Sequence, residues 1–199
     1  MSFHPQMPYG SGWHKSERKF AEDGLPFAYT AENRARIDEI CTHYPPEQRK
    51  SAILSALYLV QEQQGWVSGQ SMRHVAEVIG CTPADVEDVV SYYVMFFTRP
   101  VGKYVLQVCR TLSCALLGAE QVTAEIAKKL HIKPGETDAT GTFTLLEFEC
   151  LGACDRAPVI MVNNEHWHEC QRPEDVDTLL NGLRDKGLAA LSGCHLRKE

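Results

Sequence analysis

Cysteine is the residue whose number and spacing point most directly to chemistry. The chain of 199 residues carries eight. Four stand alone (Cys41, Cys81, Cys170 and Cys194), and four form two pairs, Cys109 with Cys114 and Cys150 with Cys154. Eight scattered thiols do not make the dense framework of a small secreted disulfide scaffold. In a reducing compartment such an excess points to metal or redox chemistry. The paired pattern reads C-x4-C-x35-C-x3-C. Four thiolates can hold zinc, a [2Fe–2S] cluster or a [4Fe–4S] cluster. Structural zinc knuckles usually leave two residues between paired cysteines, which weakens zinc here. The close run of cysteines that holds a bacterial [4Fe–4S] cluster is absent, and the third cysteine of a plant-type ferredoxin is replaced by Leu117. Two separated pairs suit a [2Fe–2S] rhomb with one pair on each iron. Gly152 would let the backbone approach the sulfide and offer an N–H donor. Two plainer readings stand beside this one: a structural four-cysteine zinc module, and four buried core thiols. A dithiol oxidoreductase is disfavoured, because the chain has no C-x-x-C.

The elements that must position these cysteines lie in two stretches of different character. From Ala31 to Phe97 the pattern is helical. One helix is expected over Ala31–Tyr44, capped by Thr30 and stopped by Pro45-Pro46. A second runs over Glu47–Gln64 before Gly65, and a third over Gly69–Ile79 after Ser68 and before Gly80. The fourth starts at Thr82-Pro83-Ala84-Asp85, a capping-box sequence, and runs to Phe97. Thr98-Arg99-Pro100-Val101-Gly102 is a break. Beyond it come a strand (Lys103–Cys109), a helix (Leu116–Leu130), strands at Thr142–Cys150, Pro158–Asn163 and His166–Gln171, and a helix from Glu174 to Lys186 closed by Gly187. The order βαβββα, with a helix on each side of the sheet, suits a small sandwich of the thioredoxin kind. Cys109 and Cys150 then end neighbouring strands, Cys114 and Cys154 follow in the adjoining loops, and the four sulfurs converge at one edge. The helix after Cys114 would favour thiolate charge through its N-terminus. The fold class is α+β, an N-terminal helical bundle followed by a thioredoxin-like domain. The boundaries are a flexible tail over 1–29, the bundle over 30–98, the sheet domain over 99–187 and a second tail over 188–199.

Composition narrows the function. A net charge of −6 disfavours a nucleic-acid binder, which needs a basic face. The longest apolar stretches, Ala52–Val60 and Val86–Phe97, fall short of the ~20 residues of a membrane span. Met1 to Phe20 lacks the apolar core of a secretory signal and the Arg-rich helix of a presequence, so the chain is expected to work where it is made. His166, His168 and Cys170 alternate along one expected strand and could ligate a metal, although such residues more often line a hairpin surface. Arg110 and Arg156 flank paired cysteines, where a cation would raise a cluster's potential. Trp66 and the Tyr92, Tyr93, Phe96, Phe97 group read as packing rather than an electron path. Cys41 and Cys81 read as buried or idle thiols. Glu32/Arg36 and Glu87/Asp88 read as solvated helix faces, and the state of the bond before Pro158 is left open.

Val108-Cys109 with Cys114, then Glu149-Cys150-Leu151-Gly152-Ala153-Cys154 and Ala157-Pro158, resembles the thioredoxin-like [2Fe–2S] subunit of NADH:quinone oxidoreductase. This is the E-type subunit family of bacterial respiratory complex I and its mitochondrial flavoprotein-2 counterpart. The likeness extends through Ala56-Leu57-Tyr58-Leu59-Val60-Gln61-Glu62-Gln63 and Gly65-Trp66-Val67-Ser68, covering residues 30–185. It implies one [2Fe–2S] cluster on Cys109, Cys114, Cys150 and Cys154. It also implies a partner subunit that binds FMN and NADH, further peripheral-arm subunits, and a place on the cytoplasmic side of the inner membrane without insertion. This chain would have no flavin or NADH site of its own, and it contains neither G-x-G-x-x-G nor a P-loop. The same module serves NAD-linked hydrogenases and formate dehydrogenases, an alternative setting for the same role. A free-standing ferredoxin is disfavoured by the helical half, which is expected to serve docking.

Overall fold

Local sequence rules set the helix ends, and long-range packing sets where they are overridden. The computed structural model describes Gly24 and residues 26–191. Most of both expected tails, and Cys194, lie outside these residues. The chain divides into two compact units, Met1–Pro100 and Val101–Glu199.

In the first unit α1 spans Ala31–Cys41, and the Thr30 side chain accepts from the Asn33 N–H at 3.2 Å. The helix stops short of Tyr44. The amides of Thr42, His43 and Tyr44 each reach back only three residues, tightening the last turn ahead of Pro45. The expected helix from Glu47 divides at Gln48, whose ψ of 18° breaks the α geometry. A 3₁₀ stretch over Pro46–Ala52 leads into α2, Ile53–Gln64, which Gly65 ends at φ 86°. Helix α3, Gly69–Ile79, starts from a Ser68/Ser71 capping box, and α4, Pro83–Tyr92, from a Thr82/Asp85 box. Ile37, Ala56, Leu57, Val60, Val75 and Val86 are fully buried in one core. Each larger side chain there contributes about 1.5–3 kcal/mol, more than a cap's ~1 kcal/mol, so packing holds the unit and the caps set its ends.

Helix α4 ends at Tyr92 rather than Phe97. Tyr93 is extended, and Gln61 of α2 takes over the following backbone. Its Nε2 donates to the Met95 carbonyl at 3.0 Å, and its Oε1 accepts from the Phe97 N–H at 2.8 Å. Phe96 is thereby turned into the core, and Trp66 is buried as well. Residues before position 30 also take part in the packing of this unit. Tyr29 is buried, its hydroxyl donates to the Ala56 carbonyl at 2.8 Å, and Phe27 packs against its ring.

The second unit is built on strands β1 (Tyr104–Cys109), β2 (Phe143–Phe148), β3 (Ile160–Val162) and β4 (His166–His168), in the order β2-β1-β3-β4. β1 and β2 are parallel; the other pairs are antiparallel. All of β1 is buried, as a central strand must be. Tyr104, Leu106 and Val108 share one apolar core with Phe143, Leu145 and Ile160, while Val105, Gln107 and Met161 alternate to the opposite face. Buried Gln107 is satisfied by Asn164, donating through Nε2 at 2.6 Å and accepting the Asn164 N–H at 3.0 Å. Gly102 lies so close to β2 that a Cβ would meet Phe143 backbone at 2.9 Å.

The helix expected over Leu116–Leu130 starts three residues later, as α6 (Ala119–Leu130), and a short α5 (Leu112–Leu116) precedes it, because Gly118 adopts φ 99° between them. Helix α7, Val176–Lys186, follows a 3₁₀ turn at Pro173–Asp175. The expectation of a helix on each side of the sheet is not met. Instead α6 and α7 pack together into the same core, tied by Lys129 Nζ to Asp177 Oδ2 at 2.7 Å. The expected C-terminal tail also starts later, since a 3₁₀ helix occupies Gly187–Leu191. The Ala157–Pro158 peptide is cis. Among the described residues no helix is long and apolar enough to cross a membrane.

Candidate functional site

Parallel pairing of β1 with β2 brings Cys109 opposite Phe148, so the loops leaving the two strands emerge side by side. The Arg110 N–H donates to the Phe148 carbonyl at 2.9 Å and continues the pairing beyond the strand end. Cys109 closes β1. Cys114 lies within the short α5, not in a loop ahead of a long helix, so the long helix expected to favour its charge does not begin there. Cys150 sits two residues past β2 rather than at its end, and Cys154 opens a 3₁₀ turn over Cys154–Arg156. Cys109 and Cys114 are each 2% exposed, whereas Cys150 and Cys154 are exposed. The Cys150 and Cys154 sulfurs are 3.7 Å apart, and the Cys109 and Cys114 side chains hydrogen-bond to each other.

Each loop also serves the other loop's pair. The Thr111 hydroxyl lies 3.3 Å from Cys109 Sγ and also hydrogen-bonds to Cys150. The Leu151 N–H, from the second loop, donates to Cys109 in the first. Ser113 hydrogen-bonds to Cys154, the Val159 N–H donates to Cys114, and the Gly152 N–H donates to Cys150 Sγ at 3.4 Å. Gly152 holds φ at 78°, a left-handed conformation that glycine adopts without steric cost. Sequence reasoning anticipates its donor role but misses Thr111 and Ser113. Two hydroxyls inside the C-x4-C loop are the available signal.

These contacts split each pair electrostatically. Burial pushes the Cys109 thiol up, but donors from Thr111 and Leu151, with Cys114, bring it below the ordinary thiol value. Burial, followed by the Cys109 side chain, pushes Cys114 up to about 11. Cys150 is lowered, first by the Gly152 N–H, and Cys154 is raised, first by Cys150. Each pair thus combines one thiol disposed to ionise with one that holds its proton. Among the described residues no three Cys, His, Asp or Glu side chains gather as the ligands of one metal ion. The sulfurs come as pairs ringed by N–H and O–H donors, and that donor set fits a sulfide-bridged two-iron cluster.

The other candidates do not form sites. β4 ends at His168, and Cys170 turns away at φ 50° while its N–H donates to the Arg156 carbonyl at 2.7 Å. His166, His168 and Cys170 therefore share no strand face. Arg110 is engaged by Glu149 at 2.6 Å, so its charge is largely offset rather than aimed at the cysteines. Arg156 lies 3.8 Å from Asp155 at the surface. Cys41 is buried and Cys81 half-buried, both far along the chain from the paired cysteines.

The thioredoxin-like [2Fe–2S] ferredoxin family profile matches residues 37–184. NADH-quinone oxidoreductase subunit 2 of Thermus thermophilus is 43% identical over 148 residues, which is 74% of this chain and 82% of that protein. The E-type NADH-quinone oxidoreductase subunit of Pseudomonas aeruginosa is 39% identical over 154 residues, 77% of this chain and 91% of that protein. Among solved structures, a NAD+-reducing [NiFe]-hydrogenase in the air-oxidized state matches at TM-score 0.58 and 17% identity over 67% of this chain. This chain spans only 23% of that hydrogenase chain, and the likeness is one of fold. On the span of the profile and the identity of its relatives, the chain belongs to the thioredoxin-like [2Fe–2S] ferredoxin family.

Proposed function

We propose that this chain is the electron-transfer subunit of an NADH:quinone oxidoreductase, with Cys109, Cys114, Cys150 and Cys154 holding one [2Fe–2S] cluster, one pair to each iron. The observation that carries the ligand assignment is the pairing itself. Two couples of sulfurs at the ends of adjacent parallel strands share the Thr111 hydroxyl, which serves Cys109 and Cys150, while the Leu151 N–H of the second loop reaches back to Cys109. When bound, the cluster supplies a site that takes up and returns one electron at a time. The protein's residues do the rest. The cysteines bind, the N–H groups of Gly152, Leu151 and Val159 and the hydroxyls of Thr111 and Ser113 point at their sulfurs, and the core below β1 excludes water from the first pair. Donors of this kind favour the more negative state and so raise the potential.

A flavin- and NADH-binding subunit of the same complex is the proposed donor, with FMN and NADH bound there. Leu112, Leu116 and Leu117 support docking at the cluster end. All three are exposed around α5, beside Cys114, where an isolated domain would place polar residues. The helices over residues 30–98 form a bundle whose role is docking in assembly with the flavin-bearing subunit. The complex would lie on the cytoplasmic side of the inner membrane. The relatives' names favour this setting over the diaphorase part of an NAD-linked hydrogenase or formate dehydrogenase. Copurified subunits decide between them.

Anaerobically purified protein is expected to be red-brown, with about two irons and two acid-labile sulfides per chain. It should give an electron paramagnetic resonance signal after dithionite reduction. A colourless, zinc-loaded and signal-free protein would overturn the assignment in favour of the structural zinc module.

A further inference from the structure

Trp167 stands on β4, outside both cysteine loops, yet its indole Nε1 donates to the Leu151 carbonyl at 3.1 Å. The side chain is 40% exposed, so burial alone does not explain an indole there. That carbonyl belongs to the peptide joining Leu151 to Gly152. The peptide is trans and planar, so its C=O and N–H point in opposite directions. Fixing the oxygen therefore fixes the Gly152 N–H, the group 3.4 Å from Cys150 Sγ. A Cβ at Gly152 would meet nothing within 4 Å, so the space beside this end of the peptide is open. The Leu151 N–H, on the preceding peptide, reaches Cys109, so this short segment carries a donor to a sulfur of each pair.

We propose that Trp167 is a positioning residue that holds the Leu151–Gly152 peptide with its N–H on Cys150, and through it sets the reduction potential of the centre. The inference rests on the [2Fe–2S] reading above. It extends the site to a strand that contributes no cysteine. Without the indole donor the peptide is free to rotate, the N–H···S bond is populated less, and the added electron is stabilised less.

Two replacements test this in the full chain. Trp167→Phe keeps a ring and deletes the donor, and benzothienylalanine at position 167 keeps the bicyclic shape while exchanging only the N–H. Both are expected to retain iron, sulfide and the reduced-state resonance signal while their midpoint potentials move negative. The reduction equilibrium constant should fall about threefold to tenfold, a tenfold change being about 59 mV for a one-electron couple. Should Trp167→Phe shed its cluster, the isosteric protein decides. A potential unchanged in that protein overturns the inference and leaves the cluster assignment standing. Loss of the cluster from both also overturns it, because Trp167 would then support the loop rather than tune the centre. Unsubstituted protein without iron overturns the assignment itself, and this inference with it.

Discussion

The two cysteine pairs differ in how they belong to the molecule. Cys109 and Cys114 are part of the apolar core that holds β1, α6 and α7 together, while Cys150 and Cys154 lie in an exposed loop. The first pair thus builds the domain as well as the site, and the second builds only the site. Burial is also why Cys114 is pushed up to about 11 and keeps its proton in the metal-free chain, so a metal bound there must displace that proton.

The largest expected effect breaks each pair in turn. Cys114→Ala and Cys154→Ala should both abolish the two-iron centre, seen as loss of colour and of the reduced resonance signal. They should differ in the metal-free chain. Removing the buried sulfur lowers unfolding free energy by about 1 kcal/mol, whereas removing the exposed one leaves the urea midpoint in place. Equal midpoints would erase the distinction. Next in size is Gly152→Ala, which forces an L side chain into a left-handed conformation at about 1–2 kcal/mol. Nothing crowds the added methyl, so the cost falls on the exposed loop alone. Iron should pass to a chelator several times faster, without a matching fall in domain stability.

The adjacency of β1 and β2 was legible in the sequence, because both carry clear apolar patterns, Cys109 ends β1 and Cys150 follows two residues after β2. The helix breaks were legible only in part. Gly65 and Gly80 mark the ends of α2 and α3, but the helix expected from Leu116 ran through Gly118, where the chain breaks, and the end of α4 at Tyr92 depends on Gln61, a polar side chain from another helix that no periodicity reveals. The helical spacing of Val86, Val89, Val90, Tyr93 and Phe97 was real, yet two hydrogen bonds from Gln61 outweigh one more helical turn. The cluster cysteines stood out by spacing. Of their donors only Gly152 did, since Thr111 and Ser113, and Trp167 behind Gly152, act through geometry created by the parallel pairing and the β3–β4 hairpin.

A smaller effect concerns the link between the two loops. Arg110 and Glu149 adjoin Cys109 and Cys150, but both are about half exposed, so solvent screens them. Glu149→Gln should cost no more than about 0.5 kcal/mol, a difference that high salt removes in paired denaturation curves. A larger effect that survives salt would make the ion pair part of the site's frame. The smallest effect lies in the helical unit. Lys50, then the Thr82 backbone and hydroxyl, hold Asp85 down from 3.8 to about 2. A depressed carboxyl stabilises the fold above its unfolded value, and that contribution fades as the pH falls from 3.8 towards 2. Asp85→Asn should therefore melt earlier at neutral pH, match the unsubstituted chain near pH 2, and leave the cluster's potential unmoved at any pH. A shifted potential would tie the helical unit to the cluster.

Iron X-ray absorption of the oxidised, anaerobically prepared protein tests the pairing most directly. Two couples of sulfurs on two bridged irons predict a first shell of sulfur only, together with a clear iron–iron backscattering feature. A sulfur shell without that feature would mean a single metal gathered by all four cysteines, and would contradict the division into pairs.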